Sequence, residues 1–263
     1  MIAFADGRLI LHPGPVARIE INAPARRNAI SRAMWQALPL ICDRIAADEA
    51  IRAVLLTASP GAGGAFSAGA DITEFAEVYA TAGSSAEYNR LVRLAQARLR
   101  DLPRPVIAVI AGVCVGGGCG LALSADLRFA APGARFGITP ARLGLAYSPE
   151  DTAELIAKVG QARAKDLLFS ARLIDAGEAL AIGLIDRILP EDGLDQGALD
   201  YAQGLAKLSG QSIRIAKDAI NRLSAPDPAV CAALHAAFVA SFAGADFAEG
   251  RSAFIERRAP EFK

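Results

Sequence analysis

Short apolar runs alternate with amphipathic stretches through the first half of the chain. Residues 53–58 read AVLLTA, residues 106–111 form a similar run, and 127–130 form a shorter one with a single arginine. Such near-continuous runs are typical of strands that are buried on both faces of a sheet. Residues 33–48 follow Ser31, a good N-cap, and place apolar side chains at helical spacing. This alternation predicts an α/β fold with covered sheets.

The rest of the chain adds a hairpin and a set of helices. Residues 8–11 and 16–21 flank Pro13-Gly14-Pro15, which predicts a β-hairpin. Beyond Pro149 the pattern becomes mostly helical, and only 184–189 resembles a strand. We therefore expect a core over 1–190 and a C-terminal helical region over 191–263. Further helices are predicted at 84–102, 117–125, 161–170, 175–181, 195–208, 211–223 and 230–243, with an amphipathic one at 246–263 that places Phe247 and Phe254 on one side.

Composition excludes several classes of partner. The 263 residues carry 28 Lys+Arg and 28 Asp+Glu, and zero net charge gives no attraction to nucleic acid or to an anionic membrane. The four cysteines lack metal-ligand spacing, so no metal site is expected, and Cys114 and Cys119 are predicted to be buried thiols. The first residues lack a basic segment followed by an apolar one, which predicts a cytoplasmic protein.

One stretch is long enough to cross a bilayer. Residues 106–125 carry no charge over twenty positions. The stretch contains five glycines and follows Pro103 and Pro105 closely. A strand, a glycine turn and a buried helix explain this composition better, so we expect no membrane span.

Three consecutive glycines at 116–118 raise the question of a nucleotide. A dinucleotide fingerprint needs G-x-G-x-x-G in the first βαβ unit and an acidic residue about twenty positions further on. These glycines lie in mid-chain, Asp126 is too near, and no Gly-Lys-Ser/Thr follows to form a P-loop. Neither kind of nucleotide site is expected.

Two small-residue segments about fifty positions apart indicate another chemistry. One is 66–71, FSAGAD, and the other is 112–120, GVCVGGGCG. Each follows an apolar run and precedes a helical pattern, so each offers backbone N–H groups with little side chain in the way. Two such donors that converge on a carbonyl oxygen would stabilise it as an enolate, each by about 3–4 kcal/mol in the transition state. Close packing of a helix on a strand explains the same glycines equally well.

A set of short motifs runs in collinear order over nearly the whole chain. They are 66–72 (FSAGADI), 105–108 (PVIA) leading into 116–119 (GGGC), 126–128 (DLR), 136–137 (FG) before Leu143-Gly144, 162–167 (ARAKDL), 179–186 (ALAIGLID) and 249–258 (EGRSAFIERR). In combination they resemble the enoyl-CoA hydratase/isomerase (crotonase) superfamily. The combination is specific to the superfamily but not to any one reaction within it.

The resemblance implies a crotonase-type spiral of ββα units with a C-terminal helical trimerisation region, assembled as a homotrimer or a dimer of trimers. It implies an acyl-CoA thioester as ligand and no cofactor beyond that CoA moiety. By motif position, the N–H groups of Ala70 and Gly117 would form the oxyanion hole, and Ala68 would touch the adenine. The other candidate CoA contacts are Arg26, Arg27, Asp71, Ile72 and Arg257, and a solvated surface charge also explains each of these arginines.

Two positions depart from the family pattern. Hydratases of this superfamily use two glutamates, and the corresponding positions here hold Gly120 and Pro140. Neither residue can transfer a proton, whereas the addition of water across a double bond needs both a base and an acid. Ordinary hydratase activity is therefore not expected.

Residues 147–151, YSPED, supply the remaining catalytic candidates. Tyr147 has the same offset from Gly144 as a tyrosine of methylmalonyl-CoA decarboxylase, and it would either orient a departing carboxylate or simply line the pocket. Glu150 and Asp151 offer one acid–base group for shifting a double bond. The same residues also form a good helix start, with Ser148 as N-cap and acids in the first turn. The catalytic candidates are thus Ala70, Gly117, Tyr147 and Glu150.

Three reactions stay open: hydratase/isomerase-type chemistry, decarboxylation of a malonyl-type thioester, and thioester hydrolysis. Decarboxylation fits the missing glutamates best because the loss of CO₂ itself generates the enolate. An acyl-CoA-binding protein without catalysis is the alternative from another class. Four aromatic residues are predicted to shape the acyl pocket, namely Phe66, Phe75, Tyr79 and Tyr88.

Overall fold

The computed structural model describes residues 1–61, 63–223, 239 and 242–261. The strands are β1 Ile2–Phe4, β2 Leu9–His12, β3 Val16–Ile21, β4 Ala53–Ala58, β5 Val106–Ile110, β6 Val113–Val115, β7 Leu127–Ala130, β8 Arg135–Gly137, β9 Leu173–Asp175 and β10 Arg187–Ile188. The helices are α1 Arg32–Ala47, α2 Phe75–Val78, α3 Ala82–Arg100, α4 Gly117–Leu123, α5 Pro149–Ser170, α6 Ala176–Ala181, α7 Leu194–Ala206, α8 Gly210–Leu223 and α9 Ala245–Glu256.

Seven strands form the larger sheet, in the order β1-β2-β3-β4-β5-β7-β10, and β6-β8-β9 form a smaller one. The antiparallel pair β2–β3 confirms the predicted hairpin. From β3 onward the large sheet is parallel. Parallel neighbours need crossover connections, and α1, α3 and α4 lie within the first three of them. The predicted α/β architecture is confirmed.

The central strands are buried on both faces, which explains their continuous apolar sequences. In β4, Val54 and Leu56 belong to the core layer that contains α1 and α3, whereas Leu55 belongs to a second layer with Ile107. Helix α7 covers this second layer through residues such as Ala198. Because both faces are covered, the alternation of polar and apolar residues that marks a half-exposed strand is absent.

Several boundaries differ from the predictions for local reasons. Helix α3 begins at Ala82 rather than at 84, because Thr81 is its N-cap and Ser84 closes the capping box. Of the predicted strand 184–189, only Arg187–Ile188 form a strand, β10. Strands β6, β8 and β9 were not predicted, since three residues are too few to show a period. The segments predicted from 149 and at 161–170 form one helix, α5, interrupted at Gly160 with φ 75°.

Beyond β10 the described residues form helices α7, α8 and α9. The predicted helix 230–243 lies outside the described residues, apart from 239 and 242–243. Helix α9 packs closely on the 3₁₀ turn Pro140–Leu143, where a Cβ atom at Gly250 would overlap the backbone of Leu143. Within the described residues, no helix combines the length and apolar character that a bilayer crossing requires.

Candidate active site

The two small-residue segments meet at one edge of the large sheet. Strands β4 and β5 are parallel neighbours, so the loops that follow them emerge on the same side. The Ser67 N–H donates to the Val113 carbonyl at 3.0 Å, and the Val115 N–H donates to the Ser67 carbonyl at 3.1 Å. On its other side the loop is held by Ala68, whose N–H donates to the Arg27 carbonyl at 3.0 Å. The backbone of 67–68 is therefore fixed from both directions.

Backbone pairing also orients the N–H of Ala70. The Ile30 N–H donates to the Gly69 carbonyl at 2.7 Å, and the Asp71 N–H donates to the Ile30 carbonyl at 3.0 Å. In such a parallel bridge the N–H of the middle residue, here Ala70, points away from Ile30. Gly117 lies close by, because a Cβ atom added to it would be 3.4 Å from the Ala70 nitrogen.

Gly117 is the first residue of α4, and the first N–H groups of a helix have no partner within it. In the part of the chain that the structure describes, neither the Gly117 N–H nor the Ala70 N–H donates to an acceptor. Both residues line a cavity of about 900 Å³. The structure thus brings the two predicted oxyanion donors together at the wall of a cavity.

The glycines in residues 112–120 have two interpretations from the sequence, an oxyanion donor and close packing, and each applies to a different glycine. A Cβ atom at Gly118 would lie 2.6 Å from the Ser67 Cβ, so this position needs glycine for close packing. At Gly117 the nearest atom outside its own segment is the Ala70 nitrogen, at 3.4 Å from such a Cβ. Gly118 therefore packs the helix onto the loop, and Gly117 faces the cavity.

One part of the cavity is aromatic. Three of the four predicted aromatic residues line it, namely Phe75, Tyr79 and Tyr88. The prediction was wrong for Phe66, which does not line the cavity and is fully buried in the core. Tyr79 also stacks on Phe242, with ring centroids 4.3 Å apart. This apolar wall suits an acyl chain.

The predicted CoA contacts all line the same cavity: Arg26, Arg27, Ala68, Asp71, Ile72 and Arg257. The guanidinium of Arg26 donates to the Asp71 carboxylate and to Thr73 Oγ1. Burial on its own would raise the pKa of Asp71, but hydrogen bonds from Thr73 and Arg26 outweigh it and lower the pKa of this carboxyl. Asp71 is therefore an anion that holds Arg26 in place, and it also caps the 3₁₀ turn Ile72–Glu74.

Tyr147 and Glu150 have different positions relative to the cavity. Tyr147 lines it, and its buried hydroxyl has no hydrogen-bond partner among the described residues. Burial raises the pKa of Tyr147 well above its ordinary value, so the hydroxyl stays protonated. Glu150 is not among the lining residues, and its carboxylate lies 3.7 Å from the Arg93 guanidinium. The structure therefore does not place Glu150 at the cavity that the other catalytic candidates line, namely Ala70, Gly117 and Tyr147.

Asp151, next to Glu150, does line the cavity. Its Oδ1 accepts a hydrogen bond from Gln96 Nε2 at 2.9 Å, and its Oδ2 accepts one from Ser148 Oγ at 2.7 Å. Ser148 also accepts from the Asp151 N–H, which confirms Ser148 as the predicted N-cap. Burial, with smaller contributions from Glu150 and Glu154, raises the pKa of Asp151 to about 6.

A helical pattern in the sequence could have distinguished Asp151 from Glu150. Asp151, Leu155 and Val159 follow at intervals of four and all are buried, so Asp151 lies on the buried stripe of α5. Glu150 lies one residue away on a different face of the same helix. Both acids lie in the first turn of α5, as the helix-start interpretation predicts, but only Asp151 also lines the cavity.

Other chemistries find no support in the described residues. No group of three or more His, Cys, Asp or Glu side chains is placed to hold a metal ion in these parts of the chain. Cys114 and Cys119 are buried free thiols, as predicted. Pro140 lines the cavity and Gly120 is buried beside Asp151, so neither position of the usual glutamates carries a carboxylate.

Comparison with known proteins agrees with this fold. The sequence profile of the enoyl-CoA hydratase/isomerase family matches residues 12–263. The short-chain-enoyl-CoA hydratase of Clostridium acetobutylicum is 35% identical over 247 residues, which cover 93% of this chain and 93% of the relative. The enoyl-CoA hydratase/isomerase structure from Pseudoalteromonas atlantica has a TM-score of 0.86 and 31% identity, covering 97% of this chain and 100% of that one.

A structure of methylmalonyl-CoA decarboxylase with 2S-carboxypropyl-CoA is also similar, with a TM-score of 0.87, 26% identity and coverage of 97% of this chain and 98% of that one. The fold is thus the expected α/β crotonase fold with C-terminal helices. The chain belongs to the enoyl-CoA hydratase/isomerase family, whose members act on acyl-CoA.

Proposed function

We propose that this protein is an enzyme that binds an acyl-CoA thioester in the cavity and stabilises its enolate with the N–H groups of Ala70 and Gly117. The convergence of these two donors, neither with an acceptor in the described chain, is the observation that carries the proposal. Each donor would contribute about 3–4 kcal/mol to the transition state in a site that is partly shielded from water.

The CoA moiety would lie along the side of the cavity that carries the exposed arginines. Arg26, Arg27 and Arg257 all line the cavity and are exposed to solvent. Guanidinium groups bind phosphate through paired, charge-assisted hydrogen bonds. Asp71 would act indirectly by orienting Arg26, while Ala68 and Ile72 would offer small and apolar contacts to the adenine side of CoA. No cofactor beyond CoA enters this proposal.

Hydration by a pair of glutamates is not proposed, because Gly120 and Pro140 cannot transfer protons. The reactions that remain are those that need an oxyanion hole and at most one acid–base group. Shifting a double bond within an enoyl-CoA is the first of these, since one group can remove a proton from one carbon and return it to another.

Decarboxylation of a malonyl-type CoA thioester is the second candidate. Tyr147 favours it, because its buried hydroxyl lines the cavity without a partner in the described residues and is free to donate to a substrate carboxylate. The loss of CO₂ would leave the enolate directly at the oxyanion donors. The similarity to methylmalonyl-CoA decarboxylase supports this candidate, though at only 26% identity.

A homotrimer or dimer of trimers in the cytoplasm is the proposed state of the protein. Large apolar side chains are exposed on the C-terminal half, including Phe169, Ile215 and Ile220. Exposed apolar surface of this kind is typical of a protein–protein interface. Light scattering coupled to size-exclusion chromatography tests it, and a monomer at micromolar concentration would contradict it.

A panel of thioesters tests the proposed function. The purified protein is incubated with crotonyl-CoA, 3-hexenoyl-CoA and methylmalonyl-CoA, and CoA binding is measured by calorimetry. We expect turnover of 3-hexenoyl-CoA or methylmalonyl-CoA and little hydration of crotonyl-CoA. Tight CoA binding without any turnover would instead indicate a non-catalytic acyl-CoA-binding protein, and absence of CoA binding would refute both.

A further inference from the structure

The carboxylate of Asp151 occupies the space beside Gly120. A Cβ atom built on Gly120 would lie 2.7 Å from Asp151 Oδ1 and 2.7 Å from Gln96 Nε2. No side chain can therefore extend from position 120 while Asp151 and Gln96 keep their places. A carboxylate therefore does lie beside position 120, but it belongs to a residue of α5 rather than of α4.

This carboxylate lies near the oxyanion donors. Gly120 follows Gly117 by three positions in α4, and a helix rises about 1.5 Å per residue, so the two positions are about 4.5 Å apart along the axis. Asp151 Oδ1 is next to Gly120, and Asp151 also lines the cavity to which Gly117 contributes its N–H. A substrate whose thioester oxygen binds at Gly117 would thus present its adjacent carbons near Asp151.

The surroundings of Asp151 hold it in place without neutralising it. Its two hydrogen-bond donors are neutral groups, the Gln96 amide and the Ser148 hydroxyl. A carboxylate has about four lone-pair sites, so sites on both oxygens remain for a proton. The ionisable groups that interact with it electrostatically are Glu150 and Glu154 on α5 and Tyr147 just before the helix. Arg93 on α3 lies 3.7 Å from the Glu150 carboxylate.

Asp151 is also able to change its charge under ordinary conditions. Only 8% of the residue is exposed, and this burial raises the pKa of its carboxyl to about 6. A carboxyl with this pKa exchanges its proton readily near neutral pH, which suits a residue that must both accept and return a proton.

We propose that Asp151 is the single acid–base group of this site and that it limits the enzyme to moving one proton between two carbons of an enoyl-CoA. The inference rests on the proposed function. The Asp151 carboxylate removes a proton from C2 of a 3-enoyl-CoA, and the electron pair forms a dienolate whose oxygen accepts from Ala70 and Gly117 N–H. The carboxyl then returns its proton to C4, and the double bond moves from C3–C4 to C2–C3. Nothing is oxidised or reduced, and the product is a 2-enoyl-CoA.

The experiment compares four proteins with 3-hexenoyl-CoA as substrate: the wild type, Asp151→Asn, Asp151→Ala, and Asp151→Ala combined with Gly120→Glu. Asp166→Asn is the matched control, because Asp166 lies on the same helix, is exposed and pairs with Arg172 away from the cavity lining. Isomerisation is followed by the absorbance of the conjugated product, and the Kd for CoA thioester is measured by calorimetry.

We expect Asp151→Asn to lower kcat by about 10²–10⁴-fold and to leave the Kd within about twofold, because the amide keeps its shape but cannot carry a proton. The Asp166→Asn control should keep the wild-type rate. The double variant Asp151→Ala/Gly120→Glu should recover about tenfold or more over Asp151→Ala, because it places a carboxylate in the same space from α4. The Gln96 amide, which Asp151 no longer holds, must move away from the new Cβ atom for this to happen. A merely structural role of Asp151 would not give this recovery.

The other possible outcomes of this experiment also distinguish between the proposals. If the Asp151→Asn variant still isomerises 3-hexenoyl-CoA at the wild-type rate, Asp151 is not the acid–base group. The proposed enolate site at Ala70 and Gly117 is not affected by that result. Turnover of methylmalonyl-CoA alone, without isomerisation, likewise overturns the assignment of Asp151 and favours the Tyr147 candidate. A wild type that binds CoA but converts no thioester overturns the proposed function itself.

Discussion

Asp151 Oδ1 lies 2.7 Å from the point where a Cβ atom at position 120 would stand, so the Asp151 carboxylate occupies the space that a side chain at position 120 would need. The carboxylate is buried and its direct hydrogen-bond partners are uncharged. A buried anion of this kind opposes stability, and residues that do so are typical of functional sites.

The first prediction concerns stability and pH. A pKa of about 6 for Asp151 in the folded protein, against about 3.9 in the unfolded chain, corresponds to about 3 kcal/mol. The folded state binds this proton more tightly, so the contribution of Asp151 to stability is fully present below about pH 4 and is lost as pH rises to about 6. The Asp151→Asn side chain cannot ionise, so the stability of this variant does not fall in this way as the pH rises. We expect its free energy of unfolding to exceed the wild-type value above pH 6 and the difference to shrink by pH 4.

Chemical denaturation at a series of pH values measures this difference. Asp166→Asn serves again as the control, because its carboxylate is about half exposed and its ion pair with Arg172 contributes less than about 1 kcal/mol. A wild-type protein that gains stability relative to Asp151→Asn between pH 4 and 7 would contradict the raised pKa.

The second prediction isolates one oxyanion donor. Gly117 is the first residue of α4, where proline fits a helix because the N–H has no partner within it. Gly117→Pro replaces the N–H with a ring CH₂ group that also fills the space in front of the nitrogen, whereas Gly117→Ala keeps the N–H and adds only a methyl group at 3.4 Å from the Ala70 nitrogen. We expect Gly117→Pro to lower kcat by about 10²–10³-fold, and Gly117→Ala to lower it much less.

Steady-state kinetics of both variants with the best substrate of the thioester panel measure this contrast. Circular dichroism and the Tm show whether each variant is folded. Equal losses of activity in two folded variants would mean that the space at Gly117, rather than its N–H, matters.

The third prediction tests the packing of α4 on the loop. A Cβ atom at Gly118 would lie 2.6 Å from the Ser67 Cβ and 2.9 Å from the Ser67 carbonyl oxygen, so Gly118→Ala should destabilise the protein by about 1–3 kcal/mol. Gly204 lies in α7, where an added methyl group would have no atom within 4 Å, so Gly204→Ala should stabilise by about 0.5–1 kcal/mol. Urea unfolding midpoints compare the two, and an equal effect of both substitutions would show that the contact with Ser67 is not tight.

The fourth prediction separates CoA binding from acyl binding. Arg257→Ala should raise KM for a CoA thioester about fivefold, equivalent to about 1 kcal/mol for an exposed charge contact. The same substitution should leave KM unchanged for the corresponding N-acetylcysteamine thioester, which has no phosphate groups. Arg222→Ala is the control, because Arg222 is exposed and pairs with Asp218 on α8.

Ionic strength gives an independent check on Arg257. The difference between the variant and the wild type should nearly disappear at about 1 M salt, where the screening length falls to about 3 Å. A KM that rises equally for both thioesters would place Arg257 at the acyl part of the site or assign it a structural role.

Local patterns were enough to predict much of the fold. The apolar run of Ala53–Ala58 and the cap at Ser148 depend on neighbours in the sequence, and both have the predicted form. Strand β6 could not be predicted in this way, because three residues show no period and their pairing with β8 is set by distant contacts. The described part of α9 likewise meets Leu143 through a contact that no local pattern contains.

The sequence by itself determined that two small-residue loops follow buried parallel strands, and hence that backbone donors could meet at one sheet edge. It also determined that Gly120 and Pro140 bring no carboxylate of their own. The spacing of Asp151, Leu155 and Val159 already indicates which face of α5 is buried, and adjacent residues of a helix point about 100° apart. Only the tertiary structure decided that this face brings Asp151 to the cavity, because the contacts of α5 with distant parts of the chain place it there. It also separated Gly118, which packs on Ser67, from Gly117, whose N–H stays open to a ligand.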